Sequence, residues 1–297
     1  MKRNKNRREN SRKSDRRNSR SERGAKDSKP VKNRHQAPNT PRKKEGQRKD
    51  DETMRINKYI AHSGICSRRE ADEYIAEGRV KVNGEKITEM GVQVSSSDHI
   101  EVDGKPIDPE PFVYLMMHKP NDTITTTMDD RGRDTVMDLV EGEIGKRVYP
   151  VGRLDRDTTG LLLLTNDGDL AHRLMHPSYQ ISKVYEVQCN RALNEKDLEK
   201  LTAGVELEDG PAKANKVLHF IDRPDTLEMV VHEGRNHLVK RMIQAIGADV
   251  TNLKRTGYAG MKMKMIRAGR WRFLKPKEVN RLRQIVRLPE IKFREES

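Results

Sequence analysis

The residue pattern predicts an α+β chain of two folded modules behind a basic arm, and three observations carry that prediction. Composition breaks sharply near residue 53. The next fifty or so residues combine two short amphipathic helices with short strands closed by Asn83-Gly84 and Asp103-Gly104, dipeptides that favour tight hairpin turns. Beyond residue 112, strand-like and helical segments alternate in an irregular order, which favours a mixed sheet over a doubly wound parallel one.

The arm comes first. The chain has 297 residues, 60 Lys and Arg against 46 Asp and Glu, 33% hydrophobic and 4% aromatic residues, and a formal net charge of +14. Residues 1–52 hold 20 of the basic residues and eight of the acidic ones, a net of +12, which leaves +2 for everything after them. With only Met1, Ala25, Val31 and Ala37 as apolar side chains, residues 1–53 are expected to be a disordered basic tail, unable to offset the entropy of ordering. Blocks such as Arg7-Arg8, Arg16-Arg17 and Arg42-Lys43-Lys44 suit sequence-blind contact with nucleic acid through counterion release. The alternative is a solvated appendage.

Several classes are excluded. No stretch approaches the roughly 18 apolar residues needed to span a bilayer; the longest aliphatic run is Leu161–Leu164. The basic start has no hydrophobic region behind it, unlike a secretory signal. Cys66 and Cys189 lie far apart without a C-x-x-C partner, which excludes a zinc ribbon or disulfide scaffold and points to a reducing cytoplasm. Neither G-x-G-x-x-G nor a P-loop is present, so no nucleotide cofactor is expected. No resident metal is expected either.

The small module is expected over 54–104. Ile56, Tyr59 and Ile60 have the i, i+3, i+4 spacing of a helix. Ser67 followed by Glu70 is a capping box opening a second helix, whose stripe is Ala71, Tyr74 and Ile75 and whose end is Gly78. Strands are expected at Arg79–Val82 and His99–Val102. Arg68 and Arg69 stand in the first turn of that helix beside free backbone N–H groups, and Arg79 and Lys81 leave from the next strand. That gathers cations and amide donors suited to a phosphate backbone, although a generic solvated basic face would read the same way. Residues 105–111, with Pro106, Pro109 and Pro111, are expected to be a stiff linker.

The large module is expected over 112–290. Its strands are expected at Phe112–His118, Leu161–Thr165, Lys183–Cys189 and Glu228–His232. Its helices are expected at Thr135–Val140, Asp169–Met175, Glu195–Ala203, His237–Ile246 and Lys277–Val286. Met261, Met263 and Met265 alternate with Lys262 and Lys264, which predicts a strand with a core face and a phosphate-facing one, with Arg267, Arg270 and Arg272 close behind.

Three spots carry chemistry. Gly152–Gly160 places Asp155 in a glycine-flanked loop beside a buried strand, where Arg153 and Arg156 would favour an ionised, nucleophilic carboxylate; a turn Asp paired with a neighbouring Arg is the plain alternative. Alternation in Lys183-Val184-Tyr185-Glu186-Val187 puts Lys183, Tyr185 and Val187 on one face, offering Tyr185 to a site or to the core. In Glu233–Met242 a tight turn feeds a helix whose Leu238, Val239, Met242 and Ile246 face the core, while Arg235, Lys240 and Arg241 form either a solvated face or an anionic site. A rival match, D-x-D-x-T at Asp155–Thr159, resembles the aspartyl-phosphate loop of Mg²⁺-dependent phosphatases. That loop needs its hydrophobic strand before the first Asp, and here the strand follows; late acids are limited to Asp167 and Asp169.

Two resemblances follow from these residues. Asn57-Lys58-Tyr59-Ile60 with Ser63–Ala71 and Val82-Asn83-Gly84 resembles the small RNA-binding domain shared with ribosomal small-subunit protein four. Gly152-Arg153-Leu154-Asp155, Gly160–Gly168, Lys183–Val187 and Glu233–Asn236 with Lys240-Arg241-Met242 resemble the RsuA/RluB group of ribosomal RNA pseudouridine synthases, over about residues 54–288. Arg173–Ser178 and Gly204–Ala212 look most like the RluB branch, which acts on 23S rRNA. The resemblance implies a mixed-sheet catalytic domain behind the RNA-binding module, in a cytoplasmic, monomeric enzyme needing no cofactor. It implies Asp155 as nucleophile, Tyr185 packed on the target uracil, and Lys240 paired with Asp155. Arg153, and with it Arg156 and Arg235, would hold RNA, as would Arg68, Arg69, Arg79 and Lys81. Two positions depart from the pattern: His118-Lys119-Pro120-Asn121-Asp122 where relatives read Asn-Lys-Pro-x-Gly, and Leu238 where Gln is frequent. The remaining alternatives are a 16S rRNA pseudouridine synthase and a non-catalytic RNA-binding or ribosome-assembly factor.

Overall fold

The computed structural model describes residues 53–140 and 142–293; the expected basic tail lies, apart from Thr53, outside the described residues.

In the small module, β1 (Met54–Arg55) leads into α1 (Ile56–His62), followed by α2 (Arg68–Ala76), β2 (Val80–Val82), β3 (Glu85–Ile87), β4 (Gln93–Val94), β5 (Ile100–Val102) and β6 (Lys105–Pro106). The capping box forms as the sequence predicts: the Glu70 N–H donates to Ser67 Oγ and the Glu70 carboxylate accepts the Ser67 N–H. Ile56, Ile60, Ala71, Ile75, Val80 and Ile100 are buried together, so the helical stripes meet the sheet β3-β2-β5-β6. Asn83 and Asp103 take positive φ in the two turns, which Asn and Asp tolerate better than other side chains. Lys105 and Pro106, expected in the linker, instead pair with β5, and Ile107 packs on the same core.

The large module runs β7 (Tyr114–Lys119), β8 (Tyr149–Pro150), β9 (Thr158–Thr165), α3 (Gly168–Met175), β10 (Lys183–Cys189), α4 (Glu195–Ala203), β11 (Lys216–Phe220), β12 (Arg223–Val231), α5 (Leu238–Ala245), β13 (Val250–Tyr258), β14 (Met261–Lys262), β15 (Trp271–Phe273) and α6 (Pro276–Ile285). Its nine-stranded sheet has the order β11-β12-β10-β13-β9-β7-β15, with β14 added to β13 and β8 to β9. Pairing is antiparallel except along the seam of β9 and β13, the parallel pair among the described residues. The unbroken leucine run is explained by burial on both sheet faces. Leu161 and Leu163 meet α3 and α6 through Leu170, Leu174, Val279 and Leu282, whereas Leu162 and Leu164 meet Val136, Val140 and Val148.

Thr135–Val140 is a run of turns, not the expected helix. The Asp138 carboxylate accepts the Thr135 N–H and hydroxyl and the Asp138 N–H donates back to Thr135 Oγ1, a capping pair that here starts only a few turns before Gly142 takes positive φ. The expected Met and Lys alternation lasts only through β14. Met265 has positive φ and an exposed side chain, so the chain leaves the sheet before a second face can form.

Candidate active site

The loop before β9 is fixed from beneath. Leu154 sits in the core, and Thr125 clamps its backbone by donating to the Leu154 carbonyl at 2.9 Å and accepting its N–H at 3.3 Å. Lys119, on β7, is 0% exposed and donates to the carbonyls of Pro120, Arg156 and Thr158 at 3.0, 3.1 and 2.9 Å. Burial pushes its pKa down to about 8 against the opposing pull of Asp157, Asp155 and Asp122. A flexible side chain has thus become a three-point brace for the loop carrying Asp155.

Asp155 is half-buried and faces the start of α5. Its Oδ2 lies 3.6 Å from Lys240 Nζ and its Oδ1 3.6 Å from His237 Nε2. Lys240 makes its shorter contact elsewhere, 2.6 Å to Asp157 Oδ1, and this hydrogen bond holds the Asp157 pKa below the usual carboxylate range. The expected Lys240–Asp155 pair is therefore a longer contact within a shared cluster. Arg156 pairs with Asp122 at 2.7 Å, so the side chains facing Asp155 come from α5 and its cap.

These groups open on a cleft of about 590 Å³ that also receives Arg153, Lys183, Tyr185, Arg235, Arg255 and Tyr258. Strand alternation accounts for Lys183 and Tyr185 on one face of β10. On β13, Leu253, Arg255 and Tyr258 line the cleft although parity alone would select 253, 255 and 257. The register against β10 jumps from Val184–Gly257 to Tyr185–Arg255, so Thr256 is an extra residue and the bulge switches the facing side. This brings the Arg255 guanidinium carbon 4.6 Å from the Tyr258 ring centroid. Lys183 is held by the carbonyls of Ile181 and His232; burial, with Arg255 nearby, pushes its pKa down to about 8.

Arg235, expected to hold RNA, reaches the cleft, and its donors engage Asp209, Glu233 and the carbonyls of Gly210 and Pro211, clasping two loops together. Arg241 shares Asp209 with it. In the small module Arg68, Arg69 and Lys81 are exposed, as a surface contact requires. Arg79 differs: it is bound to Asp103 and Glu77 and lies 3.8 Å from the Tyr74 ring centroid. Asp167 and Asp169, the late acids weighed for a phosphatase, are taken up by protein donors: Asp167 by Tyr114 and Arg283, Asp169 by Lys58. A larger cavity of about 750 Å³ lies under residues 127–148, but its Asp129 and Asp138 are engaged by Arg133 and Thr135.

Residues 113–245 match the family model for RNA pseudouridylate synthase, and residues 54–100 match the S4 domain. The chain is 47% identical over 236 residues to ribosomal large subunit pseudouridine synthase B of Bacillus subtilis (strain 168), covering 78% of this chain and 96% of the relative. The chain belongs to the RNA pseudouridine synthase family. Likewise, the synthase is 42% identical over 239 residues to an uncharacterized RNA pseudouridine synthase of Aquifex aeolicus, covering 79% of this chain and 96% of that one. A solved pseudouridylate synthase shares 30% identity with a TM-score of 0.57, covering 77% of this chain and 99% of the other. The synthase is thus an isomerase built from an S4 module and a mixed-sheet catalytic module, the α+β arrangement the sequence predicts.

Sequence reasoning on the synthase missed Arg255, Asp157 and His237, as well as the bracing role of Lys119. Arg255 gave no signal, because β13 reads Val-Thr-Asn-Leu-Lys-Arg-Thr-Gly-Tyr, a polar segment with its period broken by the bulge. Asp157 entered only as the second acid of the D-x-D-x-T match, and His237 lay inside a recognised loop without a role in its pattern.

Proposed function

We propose that the chain converts one uridine of ribosomal RNA, in the 23S molecule of the large subunit, to pseudouridine, with Asp155 as the nucleophile. The observation that carries this reading is Asp155 itself: a rigidly braced, half-buried carboxylate beside Lys240 and His237, opening on the cleft that holds Tyr185. The likeness to a large-subunit synthase over nearly that protein's full length supports the choice of 23S rRNA.

The target uridine leaves its stem-loop and enters the cleft, at a cost of a few kcal/mol that contacts elsewhere offset. Arg153 at the exposed rim and Arg68, Arg69 and Lys81 on the S4 module supply contacts to phosphate. The Asp155 carboxylate adds to the ribose or to the pyrimidine ring, and the N1–C1′ bond breaks. The base turns against Tyr185, a C5–C1′ bond forms, the bond to Asp155 breaks and returns its electron pair to the carboxylate, a proton leaves C5 and one is taken up at N1. Atoms and charge balance without a redox partner. Lys240, 3.6 Å away, lowers the energy of the carboxylate anion. The chain works as a monomer in the cytoplasm, in keeping with two buried, unpaired cysteines.

Asp155→Asn and Asp155→Ala in the full-length chain are expected to bind rRNA and form no pseudouridine. Pseudouridine formation by either variant refutes Asp155 as nucleophile. Comparing pseudouridine maps of rRNA from strains with and without the gene identifies the uridine, and identical maps overturn the activity.

A further inference from the structure

Arg255 is a cation in the interior of a sheet. It is 2% exposed, its Nε donates to the Leu161 carbonyl at 2.8 Å, and its Nη2 has no hydrogen-bond partner. No carboxylate pairs with it among the described residues. Removing an unpaired guanidinium from water is costly, and a hydrophobic residue would fill the same volume at less expense to stability. Lys183 lines the same cleft and adds a second cation close by, with the Ile181 and His232 carbonyls occupying two of its three donors. Two neighbouring cations outside any ion pair among the described residues, with Glu233 acting on Lys183 through space, make a site in the cleft for an electron-rich oxygen.

The cleft's own layout identifies the occupant. A phosphodiester is bulky and strongly hydrated, and the exposed Arg153 stands at the rim to meet it. The buried Arg255, in the same lining as Tyr185, suits a planar ring with carbonyl oxygens on its edge. Resting on the proposed function, we infer that Arg255 binds a carbonyl oxygen of the extruded uracil and stabilises the negative charge that develops on that ring as the N1–C1′ bond breaks. The bond's electron pair passes to the base and spreads from N1 onto O2 and O4. When C5 attacks C1′, the C5 proton leaves and N1 takes one up, so the ring returns to neutrality. A preorganised cation at O2 or O4 acts where charge appears, which lowers the barrier more than it tightens ground-state binding. Arg255 is thereby assigned as a catalytic residue, with Lys183 supporting it.

The test uses the full-length chain and a stem-loop carrying the uridine that the wild type modifies, with that uridine replaced singly by 2-thiouridine or 4-thiouridine. Sulfur accepts hydrogen bonds poorly, so one replacement is expected to slow wild-type single turnover by about tenfold or more. On unmodified RNA, Arg255→Gln is expected to slow turnover by about 100-fold while leaving RNA affinity within about threefold. Arg255→Lys should recover part of the rate, and the sulfur penalty should vanish in Arg255→Gln. Two thio-substituted RNAs turned over by the wild type at the unmodified rate overturn the inference, even if Arg255→Gln fails to fold. So does a sulfur penalty that persists undiminished in Arg255→Gln. A wild-type chain that forms no pseudouridine on any rRNA overturns the proposed function as well, and so separates the two failures.

Discussion

Lys240 donates to Asp157 at 2.6 Å but stands 3.6 Å from Asp155, so one ammonium is shared unequally between two carboxylates two residues apart. The tighter partner is the more exposed one, with Asp157 at 67% and Asp155 at 35% side-chain exposure. The arrangement leaves the Asp155 oxygens less encumbered while a cation stays within reach.

Asp157→Asn is therefore expected to keep activity within about tenfold of wild type, since it removes a holding contact and frees Lys240 to approach Asp155. Single-turnover rates of Asp157→Asn and Asp155→Asn, measured side by side, check this. Equal loss in both would show that the two carboxylates act as a unit.

Lys119 predicts a pH dependence of stability. Its folded pKa, pushed down to about 8, lies below the ordinary lysine value of about 10.4, so between those pH values the unfolded chain binds more protons. Its contribution is complete above the unfolded value and is lost as pH falls through the folded one. Stability from this group should rise with pH across that window at up to about 1.4 kcal/mol per pH unit. Lys119→Met should flatten the slope and lower stability overall by about 2–4 kcal/mol, because three loop carbonyls lose their donor. Urea unfolding of both proteins at pH 7 to 10 measures the difference.

Gly160 pairs with Arg255 across the parallel seam, at φ +111°, and a Cβ there would meet the Arg255 carbonyl oxygen and nitrogen at 2.3 and 2.7 Å. The obstacle is backbone, which cannot rotate aside. Gly160→Ala should cost about 2–3 kcal/mol and slow turnover, because separating β9 from β13 displaces Arg255 from the cleft. Thermal denaturation and single-turnover assays follow both effects. An alanine variant with wild-type stability and rate would contradict this packing.

Arg153 is exposed at the cleft rim, in contrast to Arg156 and Arg235, which protein carboxylates engage. Arg153→Ala should weaken RNA binding and reduce the slope of log affinity against log salt by about 0.7–0.9, the loss of one phosphate contact. Arg235→Ala should instead show its effect chiefly in stability. Binding titrations at several salt concentrations separate the two.

Much of the fold was legible because its signals are local. Ser67 and Glu70 announce the helix they cap, Leu161–Leu164 announces a strand buried on both faces, and Lys183–Cys189 alternates as a half-buried strand should. The site was legible where a charged residue lies in a distinctive loop, as Asp155 does. It was illegible where a charge is buried by a distant partner. Arg156 reads as a neighbour of Asp155 in sequence, yet Asp122 captures it, and Asp209 does the same to Arg235. Arg255 reads as solvated because β13 is polar in sequence, and only its pairing with β9 and β10 in the middle of the sheet buries it. Thr135–Val140 misled because its capping pair is a true helix-start signal, but the turns it begins stop at Gly142.

The parallel seam joins Thr158 to Leu253 and Gly160 to Arg255. Those partners stand on the order of a hundred residues apart in the chain, with β10, β11, β12 and three helices made between them. A chain still being synthesised can shape the S4 module and the loop of Asp155, but it has no finished reaction chamber until β13 emerges. On the proposed function, catalytic competence is expected to appear late and all at once, and a copy truncated before β13 to hold RNA without modifying it.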